Sequence, residues 1–264
     1  MRHWCSERSM NSLALPPLSM AVLGADCCFE RQDIAAAQGF DGCGIDASIL
    51  APMLRRRTSI ATKMAITALD RACKEADIGT DLPVVFTSSV GEMAVTDRLC
   101  KAISECRFPL SPTQFHNSVH NTAAGYWSLT VDSMAPMQSM AGMQDSFAMG
   151  LLEAYCQLQA GAEHVLLVSY DESMPDGLLP DYQWQACSTA WVLGASDTGG
   201  PRLSRPYPTT PDRILNHVSG HEFSDANPTQ HSIALLKAMS GKLNRQTLQI
   251  SGGEMPWLLD MGLC

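Results

Sequence analysis

The feature that most restricts how this chain can fold is a regular alternation of short, β-rich apolar runs with helical stretches, which points to a layered α/β domain. The strongest strand signal is His164-Val165-Leu166-Leu167-Val168-Ser169-Tyr170. Other strand signals are Met20–Gly24, Pro83–Thr87, a short run from Pro136 through Met140 to Met143, and Thr189–Leu193. Between them, Ser59–Ala76 predicts a helix with Ile60, Met64 and Ala68 on one stripe. A second helix follows Gly91 and carries Val95, Leu99 and Ile103 at i, i+4, i+8. Asn121–Thr130 and Ser146–Gln159 predict two more, the latter with Phe147, Leu151, Tyr155 and Leu158 on one side and Gly161 as its stop. Composition makes Ser111–Phe115 a loop and 199–211 a Gly/Pro-rich connection, and a further amphipathic helix is expected from Thr229 to Leu243.

Composition narrows the functional classes. A chain of 264 residues buries roughly 70–75% of the surface its unfolded form exposes, so its core needs no staples. Its net charge of −9 argues against nucleic-acid binding, which needs clustered Lys and Arg, and the one dense basic run is Arg55-Arg56-Arg57. The ten cysteines are scattered without a CxxC pair, as buried thiols in a reducing compartment would be. The segment from Arg2 to Cys27 imitates a signal peptide, but Glu7, Pro16-Pro17 and Asp26 break the pattern, and no apolar run is long enough to span a bilayer. A cytoplasmic protein is expected. Neither a GxSxG elbow nor a phosphate-binding glycine loop occurs, and Cys156 is expected as a packed thiol. His116 and His120 stand at an i, i+4 spacing, but no Glu, Cys or Asp lies at ligand spacing nearby, so neither a metal nor any other cofactor is expected.

The sharpest local feature is a strand, Ser139–Met143, that turns directly into a helix at Gln144-Asp145-Ser146. Enzymes place nucleophiles at such turns, because the N-terminus of a helix offers unpaired N–H groups and partial positive charge. Here the turn carries an amide that can become neither a thiolate nor an acyl carrier. A polar helix start with Asp145 or Ser146 as cap remains the alternative.

Asn121-Thr122-Ala123-Ala124-Gly125, then Ala135-Pro136, Ser139–Asp145, Gly161 and Val165–Glu172 together resemble the N-terminal half of β-ketoacyl synthases. Arg56–Met64, Phe86–Gly91 and Ser111–Asn121 are similar to truncated, synthase-like proteins of polyene clusters. The resemblance spans residues 20–197 and implies a single domain over 1–264, with a thiolase-like, layered α/β core containing a mixed sheet and a divergent tail from 198 to 264. Asn121 and Gln144 stand 23 positions apart, which matches the family's spacing from that Asn to its nucleophilic Cys. Gln144 therefore occupies the nucleophile position, as in chain-length factors, the non-condensing partners of type II ketosynthases. The family's His-Gly-Thr-Gly-Thr and Asn-His-x-Gly-Phe-Gly patterns are absent, and Asn216-His217 matches only the start of the second.

The resemblance thus implies a non-catalytic chain-length factor, with no catalytic residue of its own. It would heterodimerise with a catalytic ketosynthase and shape the acyl tunnel in polyene, polyketide or fatty-acid-like biosynthesis. Leu99, Ile103, Phe115, His116 and Asn121 are the implied interface or tunnel residues, although helical spacing equally makes Leu99 and Ile103 a core stripe. An acidic subunit is a poor docking surface for an acidic acyl carrier protein, which is expected to reach the complex through the ketosynthase. Two alternatives stay open: a Gln-type decarboxylase of malonyl-carrier protein that primes synthesis, and a purely structural partner.

Overall fold

The computed structural model describes residues 18–178, 184–195, 200–210, 227–240 and 245–262. Asn216-His217, Leu243 and the first seventeen residues fall outside them. The strands are β1 (Leu18–Phe29), β2 (Val84–Thr87), β3 (Met137–Met140), β4 (His164–Asp171), β5 (Cys187–Ala195), β6 (Arg202–Ser204), β7 (Tyr207–Pro208), β8 (Arg245–Gln249) and β9 (Trp257–Gly262). The helices are α1 (Gln32–Ala37), α2 (Pro52–Arg57), α3 (Ile60–Glu75), α4 (Met93–Ser104), α5 (Pro112–Asn117), α6 (Thr122–Val131), α7 (Ser146–Gln159) and α8 (Gln230–Met239).

One open mixed sheet runs in the order β3-β2-β4-β5-β1-β6-β9-β7, with β8 beside β9. β2 is parallel to β3 and β4, whereas β4–β5 and β5–β1 are antiparallel. Helices cover both faces of the central strands, which explains why Val165–Asp171 is buried at every position and shows no polar alternation. On one face α3 presents Met64, Ala65, Ala68 and Ala72 to Val84, Phe86, Leu166 and Val168. Its N-terminus is set by the Ser59 hydroxyl, which accepts the Thr62 N–H at 3.0 Å. Ile60, the first residue of the expected stripe, is exposed at the helix end. On the other face α7 packs Phe147, Leu151, Ala154 and Leu158 against Val85, Val165, Leu167 and Trp191.

The C-terminal segment completes that second face. β6 adds to β1, β9 adds to β6, and Leu235 of α8 with Leu248, Leu259 and Met261 joins the cluster around α7. The stretch expected as an unstructured connection thus contains β6 and β7, pairings too short to leave a periodic signal in sequence. Ser111–Phe115, expected as a loop, instead opens α5. Ser111 accepts the Gln114 N–H at 3.4 Å and Pro112 stands at the first helical position, where its missing N–H costs nothing. Cys156, expected to be packed, lies on the outer side of α7 and is exposed. No helix among the described residues is long and apolar enough to cross a membrane.

Close approach of α7 to the sheet depends on Gly150. A Cβ there would overlap the Thr87 methyl and come within 2.9 Å of Leu167 Cδ1. Gly150→Ala is therefore expected to destabilise the fold by about 1–3 kcal/mol or more, measured as a lower urea midpoint with an unchanged m-value.

Candidate functional site

The parallel strands β2, β3 and β4 end side by side, and ligand sites of open α/β sheets form at this rim. β2 runs out into Ser88-Ser89, β3 into the turn before α7, and β4 into Asp171-Glu172. The Ser88 N–H donates to the Met140 carbonyl at 3.3 Å, which ties the first two exits together.

At the β3 exit the strand ends at Met140, earlier than the sequence predicts, and a short 3-10 turn over Met143–Asp145 leads into α7. Met143 carries a φ of +50°, a left-handed conformation unusual for a residue with a side chain, so the strain of the turn sits one residue before Gln144. The Ser146 hydroxyl locks the turn by accepting the Gly142 N–H at 3.0 Å and donating to the Met143 carbonyl at 2.7 Å. Gln144 is half-buried, and the segment Ser251-Gly252-Gly253 between β8 and β9 lies over it. Gly252 N–H donates to the Gln144 carbonyl at 3.2 Å, and Gly253 N–H donates to the Asp145 carboxylate at 3.0 Å. A Cβ on Gly253 would drive into the Asp145 carboxylate, and one on Gly252 would approach His231 Nε2 to 3.1 Å and Gln144 Oε1 to 3.3 Å. This tongue lies so close that a Cβ at either glycine would require the facing side chains to shift. The adjacent Gly-Gly was the available sequence signal for such an approach, whereas nothing local marked His231 at the start of α8.

At the β4 exit a fully buried carboxylate gathers four donors. Asp171 Oδ1 accepts Ser88 Oγ at 2.8 Å, Ser89 N at 2.8 Å and Ser89 Oγ at 3.0 Å, and its Oδ2 accepts Thr229 Oγ1 at 3.1 Å. Thr229 precedes α8 and also bonds Ser169 Oγ at 3.0 Å, so the C-terminal segment is pinned to the rim through polar contacts. Beside it, Glu172 accepts the Ala94 N–H at 2.7 Å, and Glu92 accepts the Thr62 hydroxyl at 2.6 Å.

The expected interface residues separate into two groups. Leu99 is buried on α4, as a core residue would be, while Ile103 one turn later is 52% exposed. Phe115 on α5 is 66% exposed, and His116 is exposed with its ring edge-on to Tyr126. Asn121 is exposed at the residue preceding α6 and makes no side-chain cap. His116 and His120 do not share a helical face, because α5 ends at Asn117. His120 turns away to place its Nε2 2.9 Å from the Ser88 carbonyl, over the Gly91 turn. Asn117, which sequence reasoning passed over, holds α5 in place by donating to the Arg57 carbonyl at 2.5 Å and accepting the Tyr126 hydroxyl at 3.1 Å.

Burial pushes the Glu172 carboxyl up to about 7, with Glu92 adding to the rise and the Ala94 N–H opposing it. Asp171 is raised by burial as well, against its hydrogen bonds. A raised carboxyl favours the folded state in its protonated form. The stability it supplies is complete below the ordinary glutamate value of 4.5 and is lost as pH rises to about 7. Glu172→Gln should flatten this decline, read as a smaller fall in urea midpoint between pH 4.5 and 7 than in the parent.

The comparisons with known proteins agree with this geometry. The chain is similar to a solved structure of the ketosynthase ApeO in complex with its chain length factor ApeC from Xenorhabdus doucetiae, at 20% identity and a TM-score of 0.66, covering 92% of this chain and 99% of that one. It is similar to the ishigamide ketosynthase/chain length factor at 17% identity and a TM-score of 0.58, covering 73% and 67%. It is also similar to AntDE:AntF, a type II acyl carrier protein in complex with its ketosynthase, at 12% identity and a TM-score of 0.70, covering 94% and 100%. These likenesses establish a thiolase-like fold. No curated protein matches the sequence. The profile of the β-ketoacyl synthase N-terminal domain matches residues 31–258, and the chain accordingly belongs to the β-ketoacyl synthase family.

Proposed function

We propose that this protein is a non-catalytic chain-length factor that pairs with a cysteine-bearing ketosynthase, residues 20–197 forming the synthase-like core and 198–264 the tail that closes its second face. The observation that carries the reading is the outer strand β3. It pairs with β2 on one side and, among the described residues, is the last strand of the sheet on the other. Exposed apolar side chains flank it in the chain: Met134, three residues before it, is 95% exposed, and Met143, three residues after it, is also exposed. An unpaired strand edge bordered by apolar side chains is suited to pairing with another chain, through main-chain hydrogen bonds and burial together. The structural neighbours include ketosynthase–chain length factor complexes, which supports a ketosynthase as that other chain.

The elbow supports the non-catalytic half of the reading. Gln144 cannot act as a nucleophile, and its turn is engaged by the Gly252-Gly253 tongue. Chemistry would then belong to the partner, and this subunit's contribution would be steric. The net charge of −9 supports the same division, with the acyl carrier protein docking on the ketosynthase.

Co-expression with a catalytic ketosynthase should yield a heterodimer by size exclusion with light scattering. Ser139→Pro should weaken association at least about 10-fold: residues 136 and 140 bond β2, so the alternation directs the Ser139 N–H away from β2, and proline removes that donor. A chain that stays monomeric beside every such ketosynthase would refute the pairing. Ile103→Trp and Phe115→Trp sit on exposed positions and should leave stability within about 0.5 kcal/mol, so a shift to shorter products would report on the tunnel. Unchanged product length would leave a purely structural partner. Gln144→Ala should leave carbon dioxide release from malonyl-carrier protein by the complex unchanged, whereas its loss would establish the decarboxylase reading.

A further inference from the structure

We propose that Asp26, Cys27 and Cys43 form a binding site for a soft divalent cation of the zinc class, independent of the elbow at Gln144. The Asp26 carboxylate and the two thiol sulfurs all lie within 4.8 Å of one another, with Cys27 buried and the other two half-buried. Tetrahedral zinc with Zn–S bonds of about 2.3 Å places two thiolates about 3.8 Å apart, so closing the cluster takes at most about 1 Å, within reach of a Cys43 side-chain rotation. The backbone already clamps the two segments together. Phe29 N–H donates to the Cys43 carbonyl at 2.8 Å, and Arg71 donates to the carbonyls of Gly44 at 2.8 Å and Cys27 at 3.4 Å. Asp26 Oδ1 accepts the Cys27 N–H at 2.5 Å and faces the Cys43 thiol at 4.0 Å.

A cavity of about 530 Å³ opens on the cluster, with Asp26, Cys27, Cys43 and Glu75 in its wall, and gives both an entry path and room for a fourth ligand. The surrounding charge favours a cation. Two thiols, which supply anionic sulfur once their protons leave, and a carboxylate converge here beside Glu75, while the Arg71 guanidinium is directed to backbone carbonyls and the Lys237 ammonium to Gln38 at 2.9 Å. Two sulfur donors select the zinc class over magnesium or calcium, whose sites are built from oxygen. Each ion bound displaces the two thiol protons to solvent. Sequence alone hides the site, because Cys43 is sixteen residues from Cys27 and meets it only through the fold.

The test uses the full-length reduced protein with Cys100, Cys106 and Cys156, the exposed cysteines among the described residues, and the terminal Cys5 and Cys264 changed to serine, so that uptake reports on buried thiols. Titration with Co²⁺ should give one ion per chain with a thiolate-to-cobalt charge-transfer absorption, displaced by Zn²⁺. Cys43→Ser, on a half-buried loop, should weaken Co²⁺ binding by more than the about 10–100-fold that loss of an outer-shell partner costs. Asp26→Asn should weaken it while keeping the sulfur band. Circular dichroism of each variant checks that it is folded, and a melting temperature raised by Zn²⁺ in the parent but not in Cys43→Ser provides a second readout. Absence of stoichiometric Co²⁺ uptake by the folded parent, or uptake undiminished in Cys43→Ser, would overturn the proposal.

Discussion

The junction between the sheet rim and the start of α8 centres on the Asp171 carboxylate. It is fully buried, and its donors come from residues 82–83 positions earlier and 58 positions later in the chain. A carboxylate removed from water is tolerated only where several donors replace its hydration, and Ser88, Ser89 and Thr229 do so together. Removing any one leaves the rest of a buried network short of a partner, which costs more than the single bond contributes. Through Thr229 the same carboxylate sets where α8 begins. α8 packs against the layer that includes β8 and β9, and these strands carry the Gly252-Gly253 tongue to the elbow.

The turn between β3 and α7 has its strained entry at Met143, and the Ser146 hydroxyl ties the Gly142 and Met143 backbones together. The Gly252-Gly253 tongue engages the same turn through the Gln144 carbonyl and the Asp145 carboxylate. Among the described residues β3 has a neighbour on one side alone, and in the proposed pairing the partner would cover the exposed Met134 and Met143 that flank it.

Much of this was legible in the residues, for physical reasons that also explain the gaps. β4 was evident because burial on both faces removes polar positions, and α3 because its stripe and Ser59 cap are local signals. The turn at Gln144-Asp145-Ser146 was legible as a local change from strand to helix pattern, and β3 and α7 do flank it. Short elements were missed: α5 spans six residues and begins with the Ser-Pro pair that also marks loops, and β6 and β7 exist only through pairing with β1 and β9. The stripe of Leu99 and Ile103 could not be divided by periodicity, since α4 covers one and leaves the other in solvent. Asp171 and the Cys27–Cys43 cluster depend on partners far away in the chain, which local pattern does not encode.

Amide hydrogen exchange across Met137–Met140, with and without a catalytic ketosynthase, tests the central claim most directly. Pairing through the outer edge predicts that the β3 amides directed away from β2, which exchange readily in the lone chain, become protected by at least about 100-fold in the complex. A stable complex in which these amides exchange as fast as in the lone chain would contradict it.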